Sequence, residues 1–115
     1  MREEYASSTL VLIAHVVGTR KTPPTADGYF LDGDTYKVSP VRIFKGHAGK
    51  HIELFSENSS GRFPMQAKRE YLLFVYSEHG RLVADNCGNS GLLSSSKKAI
   101  AEVSHLAHER HVDSK

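Results

Sequence analysis

The sequence predicts an all-β domain of five short strands, curled into a closed or partly open barrel, with one helix at its C-terminal end. Three observations predict it. Short apolar runs rich in Val, Ile, Leu, Phe and Tyr alternate with Gly-, Pro- and Asn-containing turns over residues 9–86. The period then changes, because Ala99, Ile100, Val103, Leu106 and Ala107 recur at helical spacing. And 115 residues, 39% of them hydrophobic, are enough for one core, which all the elements have to share. A single domain is expected over residues 1–115, with strands at about 9–86 and the helix at about 95–110.

Residues 3–6 have the composition of a short helix end. Residues 9–18 read TLVLIAHVVG, a β-branched run bounded by Gly whose weak alternation predicts a strand covered on both faces. Residues 21–34 carry Pro23, Pro24, Gly28 and Gly33 and are expected to form a loop of about 14 residues. Residues 35–44 form a second strand, with a bulge near Pro40 where the register changes. A turn over 45–49 leads to a third strand, 50–56, with His51, Glu53 and Phe55 on one face and Ile52, Leu54 and Ser56 on the other. After the turn at 57–62, Phe63-Pro64-Met65 is expected to dock as an apolar plug. Residues 70–76, EYLLFVY, are apolar on both faces and predict a central strand. A hairpin turn at 77–80 leads to a short last strand, 81–84, and a closing loop, 85–91. Ser94 to Ser96 supply helix-capping residues, and Lys97, Lys98, Glu102 and Glu109 lie outside the apolar stripe. Five short antiparallel strands cannot cover both faces as an open sheet, so an OB-like barrel is favoured over a sandwich.

Several functions are excluded or disfavoured by the same residues. No apolar run approaches the ~20 residues of a membrane-spanning helix. The 15 Lys and Arg against 13 Asp and Glu leave a net charge of only +2, a poor footprint for nucleic acid. The lone Cys87 excludes an intrachain disulfide, a four-Cys zinc site and a CxxC redox pair. It is either a small buried apolar group or half of a disulfide with an upstream partner. No secretory leader pattern is visible at the start of the chain. His105, His108 and His111 sit three apart, but all three fan too widely for one ion. His47 and His51 flank a Gly turn, and Asp27, Asp32 and Asp34 crowd one loop without a calcium-loop spacing. Cys87 beside His79 or His15 matches no nucleophile signature. No catalytic residue, metal or cofactor is therefore expected.

The blocks Tyr5-Ala6-Ser7-Ser8, Leu10 to Gly18, Tyr36-Lys37-Val38, Arg42-Ile43-Phe44-Lys45-Gly46, Tyr71-Leu72-Leu73-Phe74 and Asp85-Asn86-Cys87-Gly88 stand in a recognisable order. In that order and rough spacing the chain resembles bacterial relatives of the netrin-like or TIMP-like domain, the OB-fold of tissue inhibitors of metalloproteinases, over residues 5–107. The resemblance implies a non-enzymatic, extracytoplasmic protein-binding or structural domain, periplasmic, secreted or surface-attached, whose targeting segment is absent from this chain. It implies that Cys87 matches a family cysteine that pairs upstream. The resemblance alone makes a metalloproteinase one kind of partner, and no residue of this chain matches the N-terminal Cys that chelates the protease zinc. The expected partner surface is the 21–34 loop with the 87–91 loop. Tyr29 and Phe30 would be its apolar anchors and Asn86 and Asn89 its polar contacts. The alternative is an OB-fold that binds single-stranded nucleic acid. It would use Tyr29, Phe30, Tyr36, Phe55 and Tyr71 for stacking, with Arg42, Lys45, Lys50, Lys68 and Arg69 for charge.

Overall fold

The computed structural model describes residues 2–84 and 89–113, the last five of these by the course of the backbone only. The chain runs α1 (Arg2–Ser7), β1 (Leu10–Thr22), β2 (Gly33–Lys45), β3 (Ile52–Glu57), β4 (Glu70–Glu78), β5 (Arg81–Val83), β6 (Gly91–Leu92), a 3₁₀ turn (Leu93–Ser95) and α2 (Lys97–Asp113). It is the expected all-β fold with a C-terminal helix. β1 pairs antiparallel with β2 and β4, β2 with β3, and β4 with β5, while β3 meets β5 in parallel. The five strands thus close a ring in the order β1-β2-β3-β5-β4-β1. Its thinnest seam is the parallel one: Phe55 opposite Val83, with the Ala84 N–H donating to the Phe55 carbonyl at 3.1 Å. A sixth strand, β6, lies outside the ring on Tyr71 and Leu72 of β4; two residues are too short to show an alternation in sequence.

β1 runs past the expected end at Gly18 to Thr22, and β2 begins at Gly33. The expected 14-residue loop therefore shrinks to residues 23–32. Its flanks are ladder pairs from Thr19 opposite Tyr36 to Thr22 opposite Gly33, whose polar side chains hide the strand pattern. The β1–β2 ladder slips three times, leaving Phe44, Val41 and Val17 unpaired in it. Val41 adjoins Pro40, where the sequence places a bulge. Beyond Val38, β2 pairs with β1 alone, so the missing N–H of Pro40 costs no bond to β3.

β1 from Leu10 to Ala14 and β4 from Tyr71 to Val75 are buried on both faces, for two different reasons. Leu10, Leu12, Ala14 and Val16 point into the ring, where they meet Tyr36, Val38, Leu54, Tyr71, Leu73 and Val75. Val11, Ile13, Leu72 and Phe74 point outward and are covered by Tyr5 of α1 and by Val103 and Leu106 of α2. The helical stripe read from the sequence is the face that packs. Met65 closes the ring as the expected plug, with Phe63 packed beside it. The polar tips that face inward hold the plug's backbone: Phe63 N–H donates to Ser56 Oγ at 2.8 Å, Met65 N–H to the Tyr36 hydroxyl at 3.1 Å, and Gln66 N–H to the Tyr71 hydroxyl at 2.9 Å. Buried N–H groups need such acceptors, so the inner tyrosines are there for their hydroxyls as well as their rings.

Lys45 fixes α1 to the ring. Its Nζ donates to the carbonyls of Tyr5 (2.8 Å) and Ala6 (2.7 Å), the unpaired carbonyl end of a short helix. Tyr5 returns a hydrogen bond from its hydroxyl to the Phe44 carbonyl at 3.1 Å. The chain then turns away at Gly46, with φ +88° and room for no side chain, since a Cβ there would sit 2.5 Å from the Thr9 carbonyl oxygen. Gly49, three residues on, has open space around it. Gly46→Ala is expected to destabilise the fold by about 1–3 kcal/mol, and Gly49→Ala to change it by only about 0.5 kcal/mol or less, measured by urea unfolding.

Candidate functional site

Loop 23–32 is built by short-range hydrogen bonds. The Phe30 N–H donates to Thr25 Oγ1 at 2.9 Å, and the Thr25 N–H returns to the Phe30 carbonyl at 3.1 Å. Gly28 turns the chain between them at φ +75°. Asp27 Oδ1 accepts the Tyr29 N–H at 3.0 Å, the Asx turn that this residue type favours. The far end is tied to β3 and the turn after it, by Leu31 N–H to Glu57 Oε2 and by Asn58 N–H to the Asp32 carbonyl, both at 2.8 Å.

These bonds turn consecutive side chains in opposite directions. Phe30 points inward, is 3% exposed and packs edge-on against Phe55, with Val83 and Tyr76 completing a small third core. Tyr29 and Leu31 point outward, 48% and 53% exposed. The exposure assumed for Phe30 as a surface anchor is therefore corrected: it holds the loop down. Leu31 takes its place beside Tyr29. The triplet Tyr29-Phe30-Leu31 contained that signal, because one of three consecutive apolar residues on a covered loop has to turn in.

The loop lies against the β4–β5 hairpin. That turn is two residues long, His79 and Gly80, at φ +49° and +83°, the signs of a type I′ connection. It presents the His79 ring flat beneath Tyr29, centroids 4.0 Å apart and planes 9° apart. His79 Nε2 is 3.3 Å from Asp27 Oδ2. The hydrogen bond from the Tyr29 N–H, first, and then those from Thr25 and His79 hold the Asp27 carboxyl below the usual carboxylate range. The hydrogen bond to Glu78, first, and partial desolvation push the Tyr29 hydroxyl above its ordinary value.

Beside this clasp, the outer face of the sheet forms a groove. Ladder register aligns Gly18 with Lys37 and Glu53, and Arg20 with Thr35 and Phe55. Arg20 grips Glu53 with both terminal nitrogens, at 2.6 and 3.2 Å. That hydrogen bond, first, and the Arg20 charge lower the Glu53 carboxyl, and the same pair raises Arg20. Thr22 and Thr35 share a hydrogen bond between their hydroxyls. With Gly80, Arg81 and Leu82 these side chains line an open groove of about 290 Å³. The Arg81 guanidinium lies 4.8 Å above the Phe30 ring and 4.5 Å above that of Phe55. Its Nη1 is buried and meets no hydrogen-bond partner among the described residues.

The remaining candidates are placed elsewhere. Asn86 and Cys87 lie outside the described residues. Asn89 is occupied: its N–H and its side-chain amide donate to the Glu4 carboxylate of α1, at 2.7–3.2 Å. No described contact joins it to loop 23–32, which meets the His79-Gly80 turn instead. Of the aromatics proposed for base stacking, Phe30, Tyr36, Phe55 and Tyr71 are buried, and the exposed Tyr29 already has His79 stacked on its ring. Of the proposed cations, Lys45 is turned to α1 and Arg42 lies over Phe44. Asp34 pairs with Lys21 (3.1 Å) and Arg62 (3.5 Å), Asp27 with His79, and among the described residues no three His, Cys, Asp or Glu side chains come together. No helix among the described residues is long and apolar enough to cross a membrane. The chain matches no family model, and no curated protein is significantly similar to it.

The signs of the two shifts set a pH window for the clasp. Asp27, lowered on folding, supports the loop above its unfolded value, and that support is lost as pH falls through its lowered value, beneath about 4. Tyr29, raised on folding, supports it below its unfolded value of about 10, and that support is lost as pH climbs through its raised value. Amide shifts of residues 25–31, followed by NMR, are expected to hold between these limits. Asp27→Asn should abolish the acid transition and Tyr29→Phe the alkaline one.

Proposed function

We propose that this is a non-enzymatic protein-binding domain of OB-like form. Its contact surface is loop 23–32 with the His79-Gly80 turn, and it works in the extracytoplasmic setting that the resemblance to netrin-like domains implies. The observation that carries the reading is the pair Tyr29 and Leu31: two large, exposed side chains on a loop tied down by hydrogen bonds. Its backbone is bonded to itself and to the chain around β3, and Phe30 is sunk among Phe55 and Val83. A side chain already held in its binding position loses little freedom when a partner covers it, so exposed apolar area there yields affinity. Tyr also carries a polar tip that tolerates water before binding, as contact residues commonly do.

The nucleic-acid alternative draws less support. Four of its five stacking residues are buried, and two of its cations, Lys45 and Arg42, serve separate local contacts. The metalloproteinase reading rests on the resemblance alone.

The test is affinity capture from the native host's extracytoplasmic fraction, with Tyr29→Ser/Leu31→Ser compared against Val17→Ser/Val41→Ser, which removes exposed apolar side chains on the β1–β2 ribbon. A protein retained by the wild type and by the ribbon variant, but weakened about tenfold or more by the loop variant, is the expected result. Equal retention by all three would reject the loop as the contact surface. Thiol labelling of Cys87 in the native protein tests the setting: a disulfide agrees with export, a free thiol in unprocessed cytoplasmic protein opposes it.

A further inference from the structure

We propose that the groove beside loop 23–32 is a carboxylate-binding site, in which Arg81, with Arg20, takes one acidic group of the protein partner: a Glu or Asp side chain or a chain terminus. The proposal rests on the reading of this end of the ring as a protein-contact surface.

Arg81 is a cation with no counter-charge among the described residues. Arg20 and Arg62 pair with Glu53 and Asp34, Lys21 pairs with Asp34, and Lys45 has two carbonyls. Arg81 has two phenyl rings beneath it, and its buried Nη1 meets no acceptor among the described residues. Ring contacts steady a guanidinium and favour its charge, but they do not satisfy its N–H groups. A guanidinium held partly out of water with an unsatisfied nitrogen is one half of an ion pair.

The groove's composition then selects the other half. Two guanidiniums against the single carboxylate of Glu53 leave one positive charge among the lining residues. A carboxylate matches that charge, whereas a doubly charged phosphate exceeds it. The planar fork of Arg suits two coplanar carboxylate oxygens. Thr22 and Thr35 add hydroxyls on the same wall, and about 290 Å³ of open space admits a side chain rather than a whole strand. Glu53 acts as an internal rival, occupying Arg20 until a stronger acceptor arrives. The position also fits the partner surface: Gly80 on the groove wall adjoins His79, on which the exposed Tyr29 stacks.

The test is an NMR titration of the ¹⁵N-labelled protein at constant ionic strength. The probes are an amidated peptide Ac-Ala-Glu-Ala, its Gln counterpart, Ac-Ala-Ala with a free C-terminus, and inorganic phosphate. Saturable shifts of the Arg81 side-chain N–H and of the Gly80 and Leu82 amides are expected with one or both acidic peptides. The tighter of the two identifies the source of the carboxylate. The Gln peptide should be silent and phosphate weaker. Glu53→Gln, which removes the rival, should tighten acidic-peptide binding about three- to tenfold, and Arg81→Lys should weaken it about tenfold. No saturable shift with either acidic peptide, an equal response to the Gln peptide, tighter binding of phosphate, or indifference to Arg81→Lys would overturn the proposal. Should Arg81→Lys lose its amide dispersion, unchanged or weaker binding by Glu53→Gln overturns it instead. The peptides probe the groove without the partner, and the loop variant of the preceding section probes the surface without the groove, so either reading can fail alone.

Discussion

Between Leu10 and Ala14 the first strand has no polar face to give to water, and its neighbour between Tyr71 and Val75 has none either. Both faces of that pair have to be covered by something. On one side the sheet covers itself: it curls until Tyr36, Val38 and Leu54 of the far strands meet the inner face, and Met65 closes the end. On the other side the helices do it, with Tyr5 before the first strand and Val103 and Leu106 near the end of the chain. Curling and helix docking are thus two answers to one demand. Apolar burial supplies the drive for both, while Lys45 donates to trapped backbone carbonyls and the hydroxyls of Tyr36, Tyr71 and Ser56 accept from trapped backbone N–H groups.

The ring is least continuous where β3 meets β5, through one pair of residues, and the candidate site sits over that place. The outer side chains there, Phe55 and Val83, are covered by Phe30 from the loop, while Arg81 from β5 lies over both phenyl rings. One set of contacts therefore closes the seam, anchors the loop and positions a cation at a groove. A loop used for recognition is commonly a source of mobility. Here the recognition side chains are carried by a loop whose backbone is bonded at both ends, and the adjacent turn is shaped by two residues of positive φ.

Much of this was legible in the sequence, for physical reasons that also explain what was not. Continuous apolar runs marked β1 and β4, apolar residues around a turn-forming Pro marked β2, alternation marked β3, and helical spacing marked α2, because burial imposes those patterns. Phe63 to Met65 was readable as a plug, since an apolar triplet between turns has to go somewhere. The end of β1 and the start of β2 were hidden because Thr19 to Thr22 and Gly33-Asp34 are polar or small, and β6 because it has only two residues. The site was half legible. Tyr29 and Phe30 stood out as aromatics in a Pro- and Gly-rich loop, but the direction in which each points follows from the Thr25, Asp27 and Glu57 hydrogen bonds. The roles of Arg81 and His79 were not legible, because they depend on rings 26 to 51 residues away in the chain. Asn89 was chosen for its polarity, and that polarity is spent on Glu4.

The three register slips between β1 and β2 have a meaning for the protein in a crowded solution. From Ser39 to Lys45 the second strand is paired on one side only, and Val41 and Ile43 there are exposed. A bare, apolar strand edge is a template on which another chain can lengthen the sheet, and repetition of that step is how fibrils begin. An incoming strand would find an uneven row: Pro40 has no N–H to give, and the bulges at Val41 and Phe44 break the even spacing of donors and acceptors. The irregularities that bend the ribbon into a ring also guard its open flank against aggregation.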